Sequence, residues 1–115
     1  MGMARHIRAA IGAAATVANA LAGDPIEYQP EAGVLSIYGN GDIAGMSIAL
    51  SANFGKRGVT LIPPGSSIGL ASTVGNVKSN EDFIGQFPID AGARLVLSVT
   101  NPGAASNYSF KIQVD

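Results

Sequence analysis

The side chains able to do chemistry in this sequence are few. One histidine, His6, lies beside Ile7 near the start, and there is no cysteine. Nucleophilic catalysis needs an imidazole positioned next to a nucleophile, and a metal site needs several convergent ligands. A terminal segment is a poor platform for either, so His6 reads as a solvated or packing residue. The carboxylates Asp24, Glu27, Glu31, Asp42, Glu81, Asp82, Asp90 and Asp115 mostly stand beside Pro, Gly or Asn, which is where turn formers sit. Glu81-Asp82 is the one adjacent pair, and neighbours in an extended segment point to opposite sides. A glycosidase-type pair would have to converge from separate segments.

The short motifs are equally sparse. "GNGDIAG" (Gly39 to Gly45) matches one half-turn of a calcium-binding nonapeptide repeat, but such sites need stacked copies and only one is present. It reads as a hairpin turn. "NFGKRGVT" sets Lys56 and Arg57 between two glycines, which is not the phosphate-cradling GxxxxGK[ST] pattern. A charged surface loop is the plain reading, and a contact to an acidic partner surface the sharper one. The aromatics are Tyr28, Tyr38, Tyr108, Phe54, Phe83, Phe87 and Phe110, with no tryptophan. A reader of single-stranded nucleic acid interleaves aromatics with Lys and Arg on one face; among the C-terminal strands only Lys111 and Arg94 come near that. Asn107-Tyr108-Ser109 matches a glycosylation sequon that opens a strand, and is taken as chance. The expectation is a protein that is not an enzyme, with no cofactor and no metal.

The elements that would position any site are strands. In Arg94 to Asn101, Leu95, Leu97 and Val99 share a face; in Tyr108 to Asp115, Tyr108, Phe110, Ile112 and Val114 do. A period of two marks strands with one face in a core. Asn101-Pro102-Gly103 breaks the run, which predicts an antiparallel hairpin with a long loop. Phe83 to Ile89 reads as a strand and Asp90-Ala91-Gly92 as a turn, completing a three-strand meander. Val34 to Tyr38 and the Met46, Ile48, Leu50 alternation are two more strands, with "GNGD" (Gly39 to Asp42) as the turn between them. Val59 to Ile62 is a short apolar run closed by Pro63-Pro64-Gly65, and Ser67 to Ala71 is a further candidate. Short strands punctuated by Gly and Pro predict an all-β fold: a single antiparallel β-sandwich or jelly-roll-like domain over 24–115.

Residues 1–23 precede it as an arm or short helix. Arg5, Arg8 and then an Ala-rich stretch share features with a secretory signal, but Ala10 to Val17 contains Gly12 and Thr16 and lacks leucine. Alanine propensity favours a helix stopped at Gly23. Consistency with the rest of the domain favours an extended arm, with Thr16 to Leu21 joining the sandwich and Asp24-Pro25 turning the chain. No apolar run approaches the ~20 residues of a membrane span.

Composition points to assembly. The chain has 115 residues, enough for one core without staples. Its net charge of -1 gives no bulk attraction to nucleic acid or anionic membrane. Only 13% of residues are charged, about half the ~25% of an average domain. Uncharged surface costs less to desolvate, which suits burial against other subunits.

"FPIDAGARLVLSVTNPGAASNYSFKIQV" and the basic, Ala/Gly-rich N-terminus, with a looser echo in "TVANALAGDPIEY", resemble small β-sandwich capsid decoration (cement) proteins of tailed bacteriophages. The resemblance implies a virion structural protein on the capsid surface. It would be a homo-oligomer, often a trimer, reinforcing a shell by contacts with the major capsid protein. It carries over no functional residue, because such proteins work through surfaces. The expected contacts are Arg5, Arg8 and Ile11 in the N-terminal segment and the loops at Lys56-Arg57 and Pro63-Pro64. The alternative is a non-catalytic carbohydrate-binding or adhesin-like β-sandwich, against which the missing tryptophan counts.

Overall fold

The computed structural model describes residues 3–70 and 82–115. The strands are β1 (Met3–Ile11), β2 (Thr16–Val17), β3 (Tyr28–Gln29), β4 (Gly33–Gly41), β5 (Ser47–Phe54), β6 (Arg57–Ser67), β7 (Gly69–Leu70), β8 (Phe83–Ile89), β9 (Ala93–Thr100) and β10 (Ser106–Val114). One 3-10 turn, Pro25–Glu27, precedes β3. Two sheets stack as an antiparallel β-sandwich. Sheet A runs β1-β10-β4, with β7 and β8 both on the far side of β4; sheet B runs β2-β9-β5-β6, with β3 beside β2 on the same flank of β9. β7 lies parallel to β4, against the antiparallel grain.

The alternation seen in the sequence is the alternation of burial. Leu95, Leu97 and Val99 from β9 and Phe110 and Ile112 from β10 are all fully buried between the sheets. The predicted hairpin of these two strands does not form, however. β9 pairs with β5 while β10 pairs with β1 and β4, so Asn101 to Ala105 arches from one sheet to the other. The predicted meander fails for the same reason, since β8 pairs with β4 in sheet A and is followed by β9 in sheet B. A period of two says that one face is buried; it carries no information about which strand lies alongside.

Two turn assignments move as well. "GNGD" is not a hairpin turn: β4 runs on through Gly41, and the chain crosses to sheet B at Ile43 to Gly45. Gly39 and Gly41 are on the inner face of β4, where a Cβ at Gly39 would strike the Ser109 carbonyl oxygen and Phe110, and one at Gly41 would lie 2.7 Å from Met46 Sδ. The glycines make room for core side chains. Pro63-Pro64 does not end its strand either, because β6 continues to Ser67. That is tolerated because β6 is an edge whose pairing with β5 shifts register on both sides of Leu50. Of the Ser67 to Ala71 candidate, Gly69–Leu70 forms β7, and Ala71 lies outside the described residues.

The N-terminal segment is strand and not helix. β1 pairs with β10 along all nine of its residues, and Thr16–Val17 joins β9. The two-residue hairpin in sheet B is Gly55-Lys56, between Phe54 and Arg57. Gly55 has φ 65° at the first turn position, which a type II′ turn reserves for glycine. A Cβ there meets nothing within 4 Å, so the cost of substitution is conformational only. Gly55→Val is expected to lower unfolding free energy by roughly 1–2 kcal/mol, read as a shifted urea midpoint with unchanged slope.

Candidate interaction surface

The buried polar groups serve the fold. Asp24 caps the 3-10 turn by accepting from Ile26 N at 3.0 Å, and the turn carries Glu27 inward to 5% exposure. Glu27 Oε1 accepts from Gly23 N at 3.2 Å, and Oε2 accepts from Asn19 Nδ2 and Arg94 Nε, both at 3.1 Å. Asn19 Oδ1 accepts from the backbone nitrogens of Leu21 and Leu97, each at 3.0 Å. The segment before β3 is thereby laced to β9. At the other end, Asn101 Nδ2 donates to Gly12 O at 3.0 Å and Ala104 O at 2.8 Å, binding the inter-sheet arch to the loop after β1. Asp42 accepts from Asn107 N at 2.8 Å and Asn107 Nδ2 at 3.2 Å, fixing the start of β10 against the end of β4. Asn40, 1% exposed, donates to Asp82 Oδ2 at 2.8 Å. Glu81 of the adjacent acidic pair lies outside the described residues.

None of these clusters sets a nucleophile beside a base. Among the described residues no group of three or more His, Cys, Asp or Glu could hold a metal ion. One hollow, about 220 Å³, is lined by Phe54, Arg57, Val59 and Asp90. Another, beside Ile11 and Asn107, is about 310 Å³, at the small end of the range of small-molecule sites.

Among the described residues one titratable group is shifted. Burial pushes the Tyr108 phenol above its ordinary value, because the phenolate would lose its hydration. The folded value lies above the unfolded one, so this contribution to stability is whole below about pH 10 and is lost as pH rises through the folded value. In an ultraviolet titration one of the three tyrosines is expected to ionise late. Tyr108→Phe should remove that late step and flatten the alkaline fall of the denaturation midpoint.

The expected contact residues fall on separate parts of the surface. Arg5 and Arg8 lie exposed on β1, with Arg5 Nε 3.1 Å from Asp24 Oδ1. Ile11, from the same strand, is only 3% exposed and belongs to the core. It has no side-chain surface to offer a partner, because the inward phase of β1 places it under the sandwich. Lys56 and Arg57 are exposed at the β5–β6 turn, and Pro63 and Pro64 are exposed on the β6 edge. The β1 flank faces the 3-10 turn, whereas β6 leads through β7 to the opposite flank of sheet A. The two groups therefore cannot share one small contact.

The outer face of sheet A carries what the motifs did not show. His6 is opposite Lys111, Lys111 opposite Tyr38, and Tyr38 opposite Phe83, a single row across four strands. Lys111 Nζ is 5.5 Å from the centre of the Tyr38 ring, and the Tyr38 and Phe83 rings are 5.2 Å apart at 59°. Arg94, the other cation considered with Lys111, is in sheet B and bound to Glu27. The row is a product of register between distant segments, which no linear spacing records.

Fold and surface together define an antiparallel β-sandwich whose buried polar side chains hold strands and loops in place. No family model matches the chain, and no curated protein matches it. Among solved structures it is similar to a crystal structure of the Yersinia pseudotuberculosis-derived mitogen, with a TM-score of 0.60 and 15% identity over 100% of this chain and 88% of that one. At that identity the likeness shows the β-sandwich fold alone.

Proposed function

We propose that this chain is a structural assembly protein, acting as a capsid decoration protein that reinforces a phage shell by packing against the major capsid protein and against copies of itself. The observation that supports it most is the poverty of free surface charge. Only 13% of residues are charged, and Asp24, Glu27, Asp42, Asp82, Arg5 and Arg94 among them are engaged in bonds within the chain. What remains is a surface of small, polar and apolar groups with exposed Met3, Tyr28, Val34, Val59 and Phe83. Such a surface gives up little hydration on burial, and repeated shell sites multiply modest contacts.

The test is co-sedimentation of the purified chain with empty shells of the phage that encodes it. Binding that saturates at a fixed number of copies and raises the shell's melting temperature is the expected result; no binding ends the reading. Removing the first dozen residues is not a clean probe, since it would strip β1 from β10 and uncover the core. Charge reversal at exposed Arg8, or at Lys56 and Arg57, leaves the fold intact and is the better comparison.

A glycan-binding module is the second reading, favoured by the exposed ring of Phe83 beside Tyr38 and Lys111. The 59° tilt denies those rings a flat stacking platform. A glycan array with hits lost in Phe83→Ala would support it.

A further inference from the structure

β1 is the first strand of the sandwich and a lightly covered one. Of its nine residues only Ile11 is buried, with Ile7 and Ala9 half-buried against the core, and the rest are exposed. The chain leaves β1 by a turn of four residues, Gly12 to Ala15, that crosses to β2 in the other sheet. Ala14 has φ 50° in that turn. A residue with a Cβ is strained in the left-handed region, and turns that need it prefer glycine. The bond that closes the turn, Ala15 N to Gly12 O, is long at 3.3 Å. Ala14 N donates to Gly103 O at 2.9 Å, and Asn101 holds both ends, its Nδ2 donating to Gly12 O and its backbone N to Ala15 O. A short, strained hinge beside a terminal strand is the arrangement from which domains exchange strands.

We infer that two copies of the chain exchange β1: the Gly12 to Ala15 turn straightens, and each β1 pairs with β10 of the other copy in the register it has here. Every pair from Met3 with Val114 to Ile11 with Ser106 is kept, so the exchange asks for no new surface. β10 has the same segment beside it in both forms. What changes is the hinge. Straightening gives up the bonds of Ala15 N to Gly12 O and Ala14 N to Gly103 O, at an exposed turn where water replaces them. It releases the strain at Ala14 in both copies at once. The hinge has no proline, and beyond Gly12 its side chains are all alanine, so it can run extended from one body to the other. The exchange is reciprocal about a two-fold axis and closes at a dimer. It follows from the strand order and the turn, and goes beyond the shell-binding role without depending on it.

The chain has no cysteine, so an introduced disulfide reports which β10 each β1 has joined. Asp115 exchanges both backbone bonds with Val34 on β4, so the odd-numbered residues of β10 bond β4. Ala4 and Gln113 are therefore a non-hydrogen-bonded pair of β1 and β10, with Cα atoms about 4.5 Å apart, within disulfide reach. Ala4 is exposed and Gln113 half-buried, so cysteines there spare the core. In Ala4→Cys with Gln113→Cys the bond lies within one chain in the closed form and between two chains in the exchanged one. Refolded at high concentration, this variant is expected to give a species of twice 11.6 kDa on a sizing column. Once oxidised, that species should stay a dimer on a denaturing, non-reducing gel. Ala14→Gly relieves the closed turn by about tenfold per hinge and should weaken the dimer about a hundredfold. Ala14→Val, more strained in the closed turn, should strengthen it. A monomer at every concentration, an oxidised dimer whose chains separate on the gel, or an Ala14→Gly chain that dimerises as tightly as the unmodified one would each overturn the inference. A monomer that still binds shells would sink the exchange and spare the proposed function. An exchanged dimer indifferent to shells would do the reverse.

Discussion

Glu27→Ala is expected to lower the unfolding free energy by about 3 kcal/mol, with the urea midpoint moving and its slope unchanged. Removing one partner of a buried ion pair costs ~3–5 kcal/mol, and the lower end applies because the Arg94 side chain is 45% exposed. Arg94 can turn to water when Glu27 is lost. Asn19 Nδ2 keeps a bond to Leu95 O at 3.3 Å, but Gly23 N loses its acceptor. Arg94→Met is expected to cost less, roughly 1–2 kcal/mol, since the carboxylate keeps two donors. A double-mutant cycle on the two positions measures the coupling. A loss under 1 kcal/mol for Glu27→Ala would mean that the lacing of residues 19–27 to β9 does not hold the sandwich.

Asn101→Asp is the harsher test, although it changes only an amide nitrogen to an oxygen. Asn101 is 1% exposed, and its Nδ2 donates to two carbonyls, Gly12 O and Ala104 O. A carboxylate there donates nothing and confronts both oxygens with negative charge, for a loss of about 3–4 kcal/mol at neutral pH. The new acid is disfavoured in its charged form, so its folded pKa lies above its unfolded one. Stability should therefore recover as pH falls, because the protonated acid can donate to one carbonyl again. Asn101→Ala, which leaves the carbonyls unbonded without adding charge, should cost less and show no such recovery. Thermal unfolding of the three proteins at pH 4 and pH 7 separates these cases.

The strands were legible in the sequence because burial has a sign on alternate residues, and Leu95 to Val99 and Tyr108 to Val114 display it, with the buried Ser109 on the other face of β10 as the exception. Their partners were not legible. Whether β9 pairs with β10 or with β5 depends on the arch that Asn101 ties, and "NPG" reads the same for a hairpin loop as for an inter-sheet arch. Gly39 and Gly41 misled as turn residues because a glycine needed for Phe110 and Met46 to fit has the same letter as one needed for a turn, and the positive φ of Gly39, 155°, falls inside a strand. The surface row from His6 to Phe83 was invisible for a further reason: it is assembled from β1, β10, β4 and β8, so it exists only once register is set. Ile11 was legible as apolar but not as inward, since the phase of β1 is decided by its pairing with β10.

The neighbourhood of β1 and β10 governs how this chain can fold. Met3 lies opposite Val114, so sheet A needs residues more than a hundred positions apart to meet before its central strand has both partners. The other sheet is little more local, since β9 has to return to β5 across the whole of β6 to β8. Closing such loops comes before the contacts that compensate for it, and domains of this kind fold in milliseconds to seconds rather than microseconds. During synthesis, the edge of β4 that β10 fills stays unpaired until β10 has been made. A folding protein of low charge in that condition is prone to association at high concentration, and its yield on expression should rise as synthesis is slowed.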